Sequence, residues 1–80
     1  MKLPRDVSGD ALAKALKALG YQITRQTGSH MRLTTTASGE HHVTIPRHDP
    51  LRIGTFAAIL DDVATHFGLS RDELIARIKF

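Results

Sequence analysis

Tyr21-Gln22-Ile23-Thr24-Arg25-Gln26, then Thr27-Gly28-Ser29, then His30-Met31-Arg32-Leu33-Thr34-Thr35-Thr36 is the stretch that decides the fold. Apolar and polar residues alternate along it with a period of two, the signature of a strand with one dry face. Tyr21 and Ile23 are expected to point inward and Gln22 and Thr24 outward. After the Thr27-Gly28-Ser29 turn the alternation resumes, with Met31 and Leu33 inward and His30, Arg32 and Thr34 outward. A second turn signal, Ala37-Ser38-Gly39-Glu40, leads into a third strand over residues 41–47, with Val43 and Ile45 inward and Pro46 near its end. Two short turns between three alternating runs predict an antiparallel meander with one wet face.

Helical signals flank this core. Upstream, Ser8-Gly9-Asp10 reads as a helix start with Ser8 as N-cap. Leu12, Ala15, Leu16 and Leu19 follow at helical spacing, and Gly20 is a natural stop, so residues 9–19 are expected to be helical. Lys14 and Lys17 fall on the other face. Downstream, residues 48–53 read as a polar loop. Gly54-Thr55 opens a second helix, with Thr55 as N-cap and a stripe of Phe56, Ile59, Leu60, Val63 and Phe67. Ser70-Arg71-Asp72-Glu73 is a capping box for a last helix over about 71–79. The expectation is one α+β domain spanning residues 1–80, in the order α-β-β-β-α-α, with the helices on one face of the sheet.

Composition narrows the function classes. The 80 residues are 41% hydrophobic and 24% charged, which argues for a folded chain. Zero cysteines exclude disulfides, zinc-thiolate sites and a thiol nucleophile. The chain has no apolar run long enough for a membrane span and no apolar stretch at its start that reads as a signal peptide, so a cytoplasmic protein is expected. The net charge is +3, unevenly spread. Residues 1–48 carry seven basic against three acidic side chains, whereas residues 49–80 carry four against five. A basic N-terminal part suits an anionic partner such as nucleic acid.

No phosphate-binding glycine loop, zinc-protease helix or serine-hydrolase elbow is present. Asp61 and Asp62 are adjacent on a helix, point about 100° apart and make a poor shared metal site; they read as solvated surface. His41-His42 is a poor metal pair, because successive strand residues face opposite ways. His66, at the end of the second helix, reads as structural. No metal or other cofactor is expected. His30 is the histidine of interest: it leaves a Gly-Ser turn on the polar face, and histidine is the side chain that exchanges protons near neutral pH. Arg25 and Arg32 approach it if the hairpin closes, and could hold phosphate. Gly28 lets a ligand backbone come close. His48, just past the third strand beside Arg47, is a further candidate.

Ser8-Gly9, Leu12, Leu16, Leu19-Gly20-Tyr21, Arg25-Gln26-Thr27-Gly28-Ser29-His30, Val43-Thr44-Ile45-Pro46-Arg47-His48, Gly54-Thr55 and Ile59-Leu60 together resemble the HicA (YcfA-like) family of toxins, over about residues 7–75. The Arg-Gln-x-Gly-Ser-His run is the most specific part. The resemblance implies a fold similar to a double-stranded-RNA-binding domain. It also implies a metal-independent mRNA endoribonuclease, the toxin of a type II toxin–antitoxin system inhibited by a HicB-type antitoxin that covers the His30 face. The family's catalytic histidine maps to His30, and its Pro-x-His histidine to His48. Many members carry a second histidine where this chain has Met31, and the lysine-rich segment before Gly-Thr is here Asp49-Pro50-Leu51-Arg52-Ile53, with Arg52 as its only basic residue. RNA-binding residues are expected to be Lys14, Lys17, Arg25, Gly28, Ser29, Arg32, Arg47, His48 and Arg52. The expected partners are mRNA and the antitoxin. Direct DNA binding without the antitoxin is not expected, since no helix is strongly basic along one face. A non-catalytic RNA-binding module of the same fold is the alternative.

Overall fold

A computed structural model describes residues 3–78 and 80 of the chain. Lys2, counted above with the N-terminal positive charge, and Lys79, at the expected end of the last helix, lie outside the described residues. The element order is α1 (Gly9–Leu16) with a 3₁₀ turn at Lys17–Leu19, β1 (Gln22–Thr27), β2 (His30–Thr35), β3 (His41–Pro46), α2 (Ile53–Phe67) and α3 (Arg71–Arg77). The strands form one antiparallel sheet in the order β1-β2-β3. The fold is α+β, in the helix, three-strand, helix, helix layout of a double-stranded-RNA-binding domain.

Local chemistry sets the boundaries. The Ser8 hydroxyl accepts from the Ala11 amide at 3.0 Å and caps α1. The helix tightens into a 3₁₀ turn before Gly20 takes a left-handed φ of 85°, so the expected helix over 9–19 is α-helical only to Leu16. The capping box of α3 forms in full: Ser70 Oγ accepts from the Glu73 amide, and the Glu73 carboxylate accepts from the Ser70 amide. The Ser70 amide first, and then the Ser70 hydroxyl, hold the Glu73 carboxyl below its ordinary range. Helix α2 departs from expectation. It starts at Ile53 behind Arg52, which supplies no side-chain cap, and Thr55 lies inside the first turn. The preceding loop is not wholly polar: Leu51 is buried, and its amide donates to Val7 O at 2.8 Å.

The core lies between the inner sheet face and the helices. Met31, Leu33, Val43 and Ile45 from the sheet meet Leu12 and Leu16 of α1, Phe56, Leu60 and Val63 of α2, and Leu74 of α3. Burying each such side chain stabilises the fold by about 1.5–3 kcal/mol. Tyr21 is fully buried, as its inward phase predicts. Its hydroxyl donates to His41 Nδ1 at 2.7 Å, and His41 Nε2–H donates to Asp62 at 3.2 Å. His66 stacks on His41 with ring centroids 4.5 Å apart, and its Nε2–H donates to Ala37 O at 2.9 Å. His66 is thus structural, bracing α2 against the β2–β3 turn.

Ile23 is a correction. It stands opposite Leu33, hence on the inner face, yet it is 43% exposed, and every residue of β1 is exposed. The helices pack on β3 and leave β1 projecting beyond their cover. A register shift between Ile23 and Arg25 bulges the same strand.

Candidate active site

The hairpin turn places the key histidine. Gly28 has φ 53°, a left-handed conformation that costs glycine nothing and lets β1 and β2 join through two residues. Thr27 and His30 then face each other across the hairpin, and His30 pairs with Pro46 of β3 on its other side. The Arg47 amide donates to Ser29 O at 2.6 Å, tying the turn to the end of β3. Ser29 and Gly28 therefore act through their backbones, fixing where β2 begins.

On the outer sheet face, Arg25, Thr27, His30, Arg32 and Thr44 line a shallow hollow of about 230 Å³. Arg25 stands directly opposite Arg32, and Arg32 opposite Thr44. Among the described residues neither guanidinium has a carboxylate within ion-pair distance. Like charges facing each other across a ladder destabilise a sheet, so the pair is poised for an anion. His30 is exposed at the edge of the two arginines, and among the described residues it has no side-chain partner, which leaves its imidazole open to a ligand. Thr27 and Thr44 were not singled out from sequence. Both were legible in principle: Thr27 as the residue facing His30 across a two-residue turn, Thr44 as the outward residue between Val43 and Ile45.

The remaining expected site residues fall into two places. His48 and Arg52 lie in the loop that leaves β3 beside the hairpin turn. His48 is exposed, and its carbonyl accepts from the Gly9 amide at 2.9 Å. Arg52 lines a separate hollow with Arg5, Pro50 and Ile53. The Arg47 guanidinium is engaged by Asp10 of α1 through Nε and Nη2 at 3.0 and 3.3 Å, so it is not free as Arg25 and Arg32 are. Lys14 on α1 and Lys17 in the 3₁₀ turn that follows it are exposed, in the helical layer on the opposite side of the sheet from His30. The structure does not bring them together with the hollow.

The other polar clusters have closed partnerships. Asp61 binds Arg71 through two contacts of 2.8 and 2.7 Å, which hold its carboxyl low and raise the guanidinium. Asp62 serves His41 instead, so the adjacent aspartates diverge. His42 accepts from Thr34 at 2.7 Å and donates to Glu40 at 3.2 Å. Among the described residues no helix is long and apolar enough to cross a membrane.

A family model described as the HicA toxin of bacterial toxin–antitoxin systems matches residues 9–64, more than half of the chain. The chain belongs to the HicA toxin family. The matched span runs from the start of α1, through the whole sheet, into α2, and so contains every residue of the His30 hollow. No curated protein and no solved structure matches the chain. As a HicA toxin, the protein is the toxin of a toxin–antitoxin pair.

Proposed function

We propose that this HicA toxin is a metal-independent endoribonuclease that cuts mRNA, with His30 as its general base. The observation that supports this most is the hollow itself: one exposed histidine beside two unpaired, mutually facing arginines. Arg25 and Arg32 hold the phosphate, contacts that set affinity without reading sequence. His30 takes the proton of the neighbouring 2′-OH, and that oxygen attacks phosphorus. The bond from phosphorus to the 5′ oxygen breaks, leaving a 2′,3′-cyclic phosphate on one product and a 5′-OH on the other. The departing oxygen takes its proton from His48, two residues beyond the Pro46 that pairs with His30, or from water. RNA is cut and DNA spared, since only RNA carries the 2′-OH. Antitoxin covering the sheet face would silence the site by excluding RNA.

The test is to incubate the toxin with mixed-sequence RNA in EDTA, beside His30→Ala and a matching single-stranded DNA. The expected result is cleavage of RNA alone, reduced about 10²–10⁴-fold in the variant. Undiminished cleavage by the variant refutes His30 as the base. Salt-sensitive binding without cleavage by either protein refutes the enzyme and leaves an RNA-binding module.

A further inference from the structure

An RNA site on the outer sheet face leaves Lys14 and Lys17 without a task. Neither has a carboxylate within ion-pair distance among the described residues. Lys14 borders an open trough of about 690 Å³ between α1 and the end of α3. Ala11, Ala15 and Ala18 form its floor, following one another at i, i+4 and i+7 along one side of α1 and its 3₁₀ turn. Phe80 forms a wall: the residue is 48% exposed, and its ring meets that of the buried Phe56 edge to face with centroids 5.6 Å apart. Lys14 and Arg77 stand at the rim, and Arg77 lies near enough to Glu73 of its own helix to help hold that carboxyl low.

We propose that this trough docks an acidic segment with an apolar face, contributed by the toxin's antitoxin. The inference rests on membership of a toxin–antitoxin family and not on the ribonuclease reading. The surface that complements it carries aliphatic side chains against the alanine methyls and Phe80, flanked by carboxylates that reach Lys14 and Arg77. Apolar centres with charged rims are how protein interfaces are built, and rim charges of opposite sign speed encounter and fix register. RNA fits the same surface less well. Phosphates would satisfy the rim, but three methyl groups and a single ring offer little for bases to stack on. An RNA strand seated at His30 also lies on the other side of the sheet. The antitoxin therefore holds the toxin at a second place, one that RNA does not contest.

The experiment measures the affinity of the full toxin for its antitoxin by calorimetric titration, with Lys14→Glu, Ala18→Glu and the double variant. Lys14 and Ala18 are both exposed, and thermal melts check that each variant keeps the fold. Should Ala18→Glu lower the melting point, Lys14→Gln and Lys14→Glu alone decide the matter. The expected result is an affinity loss of about tenfold or more in the double variant, with a weaker dependence of the remaining affinity on salt. An affinity within twofold of the parent overturns the proposal. So does a variant that binds antitoxin normally but loses affinity for 2′-O-methyl RNA, which would give the trough to RNA. A toxin inert towards RNA would leave the titration unchanged, so the two readings fail separately.

Discussion

Replacing Gly9 and Gly54 by alanine is expected to move stability in opposite directions. Gly9 begins α1 where the helix meets the end of β3. A Cβ built there collides with the Pro46 carbonyl oxygen and lies 3.0 Å from Pro46 C and 3.2 Å from Arg47 Cα. These are backbone atoms of the last residue of β3 and of the residue after it, which the Ser29 carbonyl holds, and they cannot rotate away. The helix must back off, which stretches the 2.9 Å bond from the Gly9 amide to His48 O and loosens Leu12 and Leu16 in the core. Overpacking of this kind costs about 1–3 kcal/mol, and the weakened hydrogen bond about 1 more. Alanine's better helix propensity returns about 0.5–1 kcal/mol. The net loss is roughly 2–3 kcal/mol, a fall in Tm of roughly 10–20 °C for a domain of this size. At Gly54, in the first turn of α2, a Cβ meets nothing within 4 Å. There alanine gains the propensity alone, about 0.5–1 kcal/mol, and Tm rises by a few degrees. Melting curves followed by circular dichroism decide between them. Two glycines that respond alike, or a Gly9→Ala protein as stable as the parent, would refute the close approach of α1 to β3.

Arg32→Ala is expected to leave stability within about 0.5 kcal/mol of the parent or raise it, because it removes the cross-strand charge clash with Arg25; RNA affinity should fall and its salt dependence flatten, as a salt series in a gel-shift assay would read. Asp10→Asn releases the Arg47 guanidinium from its ion pair, so RNA affinity should rise a few-fold at low salt while stability changes by about 1 kcal/mol or less. Burial first, and then the nearby Asp62 charge, push the Tyr21 hydroxyl up to about 12. A folded-state value above the unfolded one means that the buried, protonated phenol contributes stability below about pH 10, which is lost as pH rises through 12. The loss is about 2–3 kcal/mol, and alkaline unfolding of Tyr21→Phe should lack that drop. Ser70→Ala removes the capping box of α3 and should cost about 1 kcal/mol by denaturant titration.

The elements most open to reading were those whose signal is local. Ser8 and Ser70 cap the helices they precede, and the alternation in residues 30–35 and 41–46 assigns each side chain of β2 and β3 to the correct face. Alternation fixes phase but not cover. Ile23 has the inward phase and still meets solvent, because where helices sit over a sheet depends on contacts far apart in sequence. The α2 start was missed for a related reason: Thr55 has the chemistry of a cap, but Arg52 takes the position by backbone geometry alone. At the site, the turn and the Arg25–Arg32 hairpin neighbours were legible from the Gly-Ser step. The Asp10 grip on Arg47 joins residues 37 apart and was not. The division of the cations between two layers likewise needed the packing of α1 against the sheet.

The projection of β1 beyond the helices has a dynamic consequence. Strand β1 is held by its ladder to β2, with little packed against its inner side. Elements with few buried contacts open locally at a free energy below that of global unfolding. Amide hydrogens of β1 should therefore exchange with solvent faster than those of β2. Because Arg25 and Thr27 ride on that strand, each opening dismantles one wall of the hollow while His30 and Arg32 stay in place. The grip on a phosphate is then set partly by how often the hairpin is closed, and a ligand bridging Arg25 and Arg32 would slow that exchange.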